Sequence, residues 1–507
     1  MPIAKVKTIA LVGLVGHIIE IEVDIADGLP SYTLLGLPDT ALNESRDRVR
    51  SAMVNSSFTW PNKRVTVSLS PAWLPKKGST FDLPIAIALL VAMGEISQSD
   101  VEEIIFIGEV GLDGIVRGVN GVLPTLVAAQ SFGMNYAVIP CDNREEGSLL
   151  PDMKIYTSSH LRDVVEFLKN DRNFSLQIEA VQELSISSFL DLSDVAGQQS
   201  ARFALEIAAI GGHHILFMGP PGTGKTMLAE RIPTILPPLS HDSALQVSAI
   251  HSVAGVLRNR GALSALPPFV APHHTTTAPA MIGGTGSLKP GAVSLAHHGV
   301  LFIDEAPECA TGVLDALRQP LESGSVTISR AVGTVSYPAQ FLLVLAANPC
   351  PCGKFSGKGR GCSCSQMQIR RYLQKISGPL LDRIDIRTFV EAPTRAEMSN
   401  ETLGESSSLV RSRVIEAREI SKSRFASYGF TLNSQIPARE LRSAFKATKD
   451  AMQFLHHELD LERLSARGFH KVLRLGWSIA DYRRHERPTL EDIKSAYELR
   501  QGMENEL

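Results

Sequence analysis

With 507 residues, 50 of them Lys or Arg and 53 Asp or Glu, the chain has room for two to four domains and a formal net charge of −3. That balance excludes a globally basic protein, and no apolar run reaches the ~18 residues that a membrane-crossing helix needs. Six cysteines are too few for a disulfide framework in a chain of this length.

At the N-terminus, Lys5 and Lys7 precede the apolar stretch Ile9–Ile19 in the manner of a short signal peptide. Gly13 and Gly16 interrupt it, no small-residue cleavage site follows, and Glu20-Ile-Glu-Val-Asp24 continues as an alternating strand. Two strands of a folded domain in a cytoplasmic protein are therefore expected. Residues 1–170 alternate strand-like and helical runs, which is an α+β pattern. Gly36-Leu-Pro-Asp-Thr40 enters a charged helix at Glu44–Arg50, and Lys63–Leu69 alternates as a strand. Pro75-Lys-Lys-Gly-Ser-Thr80-Phe-Asp-Leu-Pro84 then opens an apolar helix. Residues 171–190 are polar and weakly periodic, as a linker is.

The next segment names a ligand. Gly219-Pro220-Pro221-Gly222-Thr223-Gly224-Lys225-Thr226 fits G-x-x-x-x-G-K-S/T, with an apolar strand before it (Ile215–Met218) and a helical run after it (Met227–Ile232). Glycines let backbone N–H groups close around phosphate oxygens, a lysine reaches the β- and γ-phosphates, and the hydroxyl of Thr226 ligates Mg²⁺. The helix that follows adds its positive N-terminal end. ATP with Mg²⁺ is the expected ligand.

Downstream, Gly299-Val-Leu-Phe-Ile-Asp304-Glu305 is a buried strand ending in two carboxylates. Asp304 would complete the Mg²⁺ shell and Glu305 would polarise the attacking water. A second apolar strand, Phe341–Asn348, ends in a polar tip that would sit between the first two strands and orient that water; a turn before Pro349 would also take an Asn there. Arg383 follows a tight turn in Gly378-Pro-Leu-Leu-Asp-Arg383-Ile-Asp385. It is either a cation for developing phosphoryl charge or one half of a surface ion pair with Asp382 or Asp385.

Four of the cysteines cluster as Cys350-Pro-Cys352 and Cys362-Ser-Cys364. Two close pairs on a polar loop suit a tetrahedral zinc site; a redox-active pair or four free thiols would use the same residues. Cys141 and Cys309 read as ordinary buried or half-buried thiols.

Charge is uneven. No acidic residue lies between Glu322 and Asp382, an interval holding Arg330, Lys354, Lys358, Arg360, Arg370, Arg371 and Lys375. None lies between Asp242 and Asp304 either, where Arg258, Arg260 and Lys289 occur. A basic stripe of this kind is the footprint of a polyanion-binding surface. Glu322–Tyr337 reads as a hairpin with Arg330 near its tip. His273 and His274 read as a hydrogen-bonded structural pair, with a metal role as the alternative. From Pro393 onward the chain is helical, with Thr489-Leu-Glu-Asp492 capping a last helix at Ile493–Gln501.

Taken together, residues 191–392 resemble an AAA+ ATPase core of the magnesium-chelatase type, in the clade that also holds the minichromosome maintenance helicases, with residues 393–507 as its helical lid. The resemblance implies an α/β core with a parallel sheet. It implies that Val195-Ala-Gly-Gln198 approaches the adenine, that Arg383 is a finger acting on a neighbouring subunit, and that Leu464-Ser-Ala-Arg467-Gly carries the second sensor arginine, with Arg474 its rival. A finger in trans implies a ring, a homo-hexamer. Ala271–Gly291 resembles the clade's pore-facing insertion, which would put Lys289 and Arg330 in the channel against a DNA backbone.

Residues 1–170 resemble the S5-like domain shared with Lon proteases. Thr80 falls at the nucleophile position, but Gly121-Val-Leu-Pro124 offers no lysine to activate it, so a non-proteolytic module is expected. Over nearly the whole chain the sequence resembles the ComM/YifB family of bacterial magnesium-chelatase-like proteins, carried by His298–Glu305, Leu317–Glu322 and Asn348–Gly353. What that family implies is an ATP-driven DNA motor promoting branch migration in recombination and natural transformation, on single-stranded or branched DNA. The alternatives are the motor subunit of a metal chelatase and a protein-remodelling chaperone.

Overall fold

The alternating run at Lys63–Leu69 forms the strand Arg64–Ser70, with Val65, Val67 and Leu69 buried on one face. In the computed structural model the described residues are 3–36, 39–76, 78–170, 190–257, 263–284, 288–330, 333–355, 361–394, 397 and 404–501. All of the expected linker but Leu190 lies outside them, as do Arg258, Arg260, Lys358 and Arg360 of the basic stripe. The chain divides into two units: Met1–Ser185 with His241–Ser264 and Ser329–Tyr337, and Ile186–Ser240 with Ala265–Ile328 and Pro338–Leu507.

The first unit is α+β, built on a seven-stranded mixed sheet. Its strands run Ser31–Leu35, Arg64–Ser70, Val15–Ala26, Ala4–Val12, Ile104–Phe106, Tyr136–Pro140 and Lys154–Ser158 across the sheet. Ala4–Val12 and Val15–Ala26 pair antiparallel, closing from Val12 opposite Val15 around a turn in which Gly13 adopts φ 68°. The apolar stretch near the N-terminus is thus a hairpin. The helix Asp82–Ala92 buries Leu83–Leu90 on every side, which explains its continuous apolar sequence. Its one buried charge, Asp82, is gripped by Nε and Nη2 of Arg48 at 2.7 and 3.0 Å.

Residues 241–264, expected within the ATPase core, belong to this first unit. The helix His241–Ala254 sets Leu245 and Ala249, with Leu263 beyond it, against Val122, Leu123 and Leu126. The Gly121 amide donates to the Ser252 carbonyl at 3.2 Å and to its hydroxyl at 3.1 Å.

The second unit holds a five-stranded, wholly parallel sheet in the order Phe269–Val270, Val300–Ile303, Leu342–Ala347, Ile215–Met218, Ile386–Phe389. The three central strands are buried along their whole length, as parallel strands covered on both faces are. Apolar residues of the helices Gln199–Gly211, Lys225–Ile235, Ser407–Arg424, Lys449–Asp460, Ala466–Arg483 and Leu490–Gln501 share one core with this sheet. Among the described residues no helix is long and apolar enough to cross a membrane.

A buried charge cluster lies at the start of the strand Ile386–Phe389. Asp385 accepts from His213 Nδ1 at 3.0 Å and pairs with Lys471 at 2.8 Å, while His213 Nε2 meets the Ser478 hydroxyl at 2.7 Å. Burial pushes the Asp385 carboxyl up, but Lys471 and His213 outweigh it and hold it well below the usual carboxylate range. A depressed folded-state pKa means that this contribution is complete above the unfolded value of about 3.9 and is lost as pH falls toward the folded one. Asp385→Asn, which strands the Lys471 ammonium in the interior, is expected to cost about 3–5 kcal/mol at neutral pH, read as a lowered denaturant midpoint.

Candidate nucleotide site

Parallel register decides what meets at the sheet's carboxyl edge. Met218 lies opposite Ala347, and Ile303 opposite Leu345, so the chain leaves three adjacent strands at Gly219, Asp304 and Asn348. This is the crevice outside the carboxyl ends of an open α/β sheet, where such folds place ligands. The Asn348 strand lies between the other two, as its polar tip led one to expect.

In the glycine-rich loop, Gly222 and Gly224 take φ 80° and 88°, and the helix starts at Lys225 directly after them. Gly219 admits no Cβ, which would collide with the Val390 carbonyl oxygen. The buried Lys225 ammonium donates to the Gly219 and Pro220 carbonyls at 2.7 and 2.8 Å and to Asn348 Oδ1 at 3.3 Å. Burial pushes its pKa below that of an ordinary lysine. Thr226 Oγ1 donates to Asp304 Oδ2 at 3.0 Å, so the hydroxyl and the carboxylate that would share a Mg²⁺ ion already meet. The other Asp304 oxygen accepts the Glu305 amide at 2.8 Å.

Glu305 itself takes the left-handed conformation, φ 48°, in the turn that follows the strand. Its carboxylate lies 3.6 Å from His274 Nδ1. The two histidine rings lie against each other at a tilt of 35°, centroids 4.0 Å apart, and His273 Nδ1 bonds Thr275 rather than its neighbour; the pairing of His274 with Glu305 has no signal in the sequence because 31 positions separate them. Gln198 reaches the same loop, donating through Nε2 to the Thr223 carbonyl.

The arginines distribute differently. Arg383 pairs with Glu322 and donates to the Pro379 carbonyl at 2.6 Å; neither Asp382 nor Asp385, the partners suggested by proximity in the chain, holds it. Asp382 is taken by Arg467 at 2.7 Å, which sets the sensor candidate of the helical segment beside Arg383. The Arg467 side chain is 78% exposed, whereas the Arg474 guanidinium donates to the Ile436 carbonyl at 2.8 Å and burial lowers its pKa. Arg474 is thus engaged by backbone within the helical segment, whereas Arg467 is mostly exposed and paired with Asp382.

Cys350, Cys352, Cys362 and Cys364 converge, with all four sulfurs within 4.8 Å of one another. Cys350 Sγ is 3.3 Å from Cys352 and 3.7 Å from Cys362, and Cys352 is 3.7 Å from Cys362. A disulfide needs ~2.05 Å, whereas sulfurs at ~2.3 Å from a tetrahedral zinc stand ~3.8 Å apart, so the donor set fits a metal. Cys309 is buried; Cys141 is exposed rather than buried.

Of the two DNA candidates, Lys289 is exposed beside the Gly283–Pro290 bridge that closes its insertion. Arg330 is the exposed last residue of the strand Ser325–Arg330, which forms the expected hairpin with Gly333–Pro338.

Known families match nearly all of this architecture. The family described as "Magnesium chelatase, subunit ChlI" matches residues 191–398, "Subunit ChlI of Mg-chelatase" matches 21–143, and the ChlI C-terminal family matches 404–500. An uncharacterized protein of Mycobacterium tuberculosis is 44% identical over 502 residues, 99% of each chain. Competence protein ComM of Haemophilus influenzae is 42% identical over 486 residues, 95% of this chain and 94% of its own. YifB of Escherichia coli, also uncharacterized, is 39% identical over 507 residues, 99% of this chain and 97% of its own.

Proposed function

The chain belongs to the magnesium-chelatase-like family that includes ComM and YifB, and from that premise we propose that it is an ATP-hydrolysing ring motor that moves on DNA and drives branch migration. The observation that carries the catalytic half is the convergence of Lys225, Thr226, Asp304, Glu305 and Asn348 at one sheet edge. Lys225 and the loop amides bind the phosphates. Thr226 and Asp304 hold Mg²⁺, which neutralises charge on the phosphates when bound. Glu305 takes the proton of the attacking water, and Asn348 positions that water. Residues 219–226 with Gln198 form the nucleotide-binding set.

Arg383 and Arg467 complete the site of a neighbouring subunit. Their shared position on either side of Asp382 supports a common task at one interface, and a task in trans requires the closed ring, a homo-hexamer. Residues 191–240, 265–328 and 338–392 act as the ATPase core, 393–507 as its lid and 1–170 as a non-proteolytic module. The four-cysteine cluster holds zinc.

Lys289 and Arg330 face DNA in the channel and follow its backbone without reading bases. Each contact to a phosphate adds about 0.7–0.9 to the slope of log affinity against log salt. Lys289→Ala and Arg330→Ala are each expected to weaken DNA binding and lower that slope by roughly one, with no change in sequence preference. A slope unaltered in the double variant contradicts the channel assignment. The motor itself is tested by ATP-dependent conversion of a three-strand junction to product. Junction movement with ATP and none with ADP supports the reading, and a junction that stays put in ATP at saturating protein contradicts it. Identity to ComM along almost the whole chain favours this over a chelatase or chaperone motor.

A further inference from the structure

The loop between Cys350 and Cys364 joins two parts of the nucleotide pocket. At its start, Asn348 lies two residues before Cys350 at the end of the strand Leu342–Ala347, and its side chain accepts from Lys225. At its end, Cys364 is followed by Ser365, the cap of the helix Gln366–Leu373. That helix carries Tyr372, which is buried. Inside the loop, Gly353 takes φ 73° and packs so closely on Pro221 of the phosphate loop that a Cβ would stand 2.7 Å from Pro221 Cδ. The cluster therefore ties the strand end, the helix start and the phosphate loop together at one point.

Most of this loop is polar and rich in glycine, with too little apolar surface to hold its own shape. A tetrathiolate metal closes it outright, because metal binding supplies the free energy that orders such segments. We propose that the metal held by Cys350, Cys352, Cys362 and Cys364 braces the phosphate loop and Asn348, so that nucleotide affinity depends on metal occupancy. The proposal rests on the reading of the cluster as a zinc site. It adds one positioning contact to that reading, Gly353 on Pro221. That contact does not touch the reacting atoms; it fixes the loop that does.

The test uses the full chain, zinc content per chain, and the affinity of a fluorescent ATP analogue with Mg²⁺, none of which needs turnover. One zinc per chain is expected, together with the visible absorption of a tetrahedral tetrathiolate when Co²⁺ replaces it. Stripping the metal with a chelator under reducing conditions is expected to weaken analogue binding roughly tenfold or more, with recovery on adding Zn²⁺ back. Gly353→Ala, which keeps all four thiolates and crowds Pro221, is expected to retain its zinc and still bind the analogue several-fold more weakly. Zinc present but affinity unchanged on stripping, or in zinc-loaded Gly353→Ala, overturns the brace and leaves the zinc site standing. No zinc and no cobalt spectrum overturns both. Should the stripped protein unfold, zinc-loaded Gly353→Ala decides alone.

Discussion

Glu305→Gln is expected to bind ATP as the native protein does and to lose hydrolysis by roughly 10²–10⁴-fold, the share that a positioned general base contributes. The division of labour between the two carboxylates rests on geometry. Asp304 is engaged on both oxygens, one by the Thr226 hydroxyl and one by the Glu305 amide, which fixes it beside the hydroxyl proposed to share Mg²⁺ with it. Glu305 turns off the strand at φ 48° and is engaged only at its margin, 3.6 Å from His274. Glutamine keeps the volume and the neutral contacts and removes the basic oxygen. The phosphate-binding groups, Lys225 and the amides of Gly222–Thr226, are untouched. Nucleotide affinity and steady-state turnover measured side by side separate the two effects. Turnover within twofold of native would pass the role of base to another group.

The second large effect belongs to Arg383. A cation supplied across an interface to a phosphoryl-transfer site is worth roughly 10³–10⁵-fold in rate, so Arg383→Ala is expected to fall to near-background hydrolysis. Arg383→Lys keeps the charge but loses the planar fork, and it is expected to recover little. The mixing experiment is more discriminating. Subunits carrying Glu305→Gln have an intact Arg383, and subunits carrying Arg383→Ala have an intact Glu305. If the arginine serves its neighbour, mixed rings contain some sites with both groups, and activity rises above the sum of the two inactive preparations. Activity that never exceeds that sum places Arg383 in its own subunit's site. In this chain Arg383 is paired with Glu322, and neither lies among the groups that converge on Lys225, as expected of a group whose phosphate is elsewhere.

What could be read from the sequence divides along the range of the interactions. The phosphate loop, the Asp304–Glu305 strand end and the Asn348 tip were legible because each is a local pattern. Apolar strands that run four or more residues and stop at a polar group report both burial and the edge of a parallel sheet. The order of those strands was also accessible, since a polar tip shared by two sites has one useful place. Contacts between distant segments were not. The Arg467–Asp382 pair spans 85 positions and His274–Glu305 spans 31, and nothing local distinguishes either from a solvated charge. The buried Asp385–Lys471–His213 cluster was hidden for the same reason; Asp385 looked like a surface partner for Arg383. The helix His241–Ala254 misled in another way. Its weak amphipathicity marks a buried face but not the surface that buries it, and that surface proves to be the Val122–Ser131 helix of the first unit.

The central claim is that ATP hydrolysis here is coupled to DNA. Its most direct test is steady-state ATP hydrolysis by the purified protein alone and with single-stranded DNA, duplex and a forked junction, beside Glu305→Gln. The account predicts hydrolysis that at least one DNA form stimulates and that Glu305→Gln abolishes with every form. Hydrolysis equal in the presence and absence of every DNA form would contradict it and direct the motor to a protein or metallocofactor client.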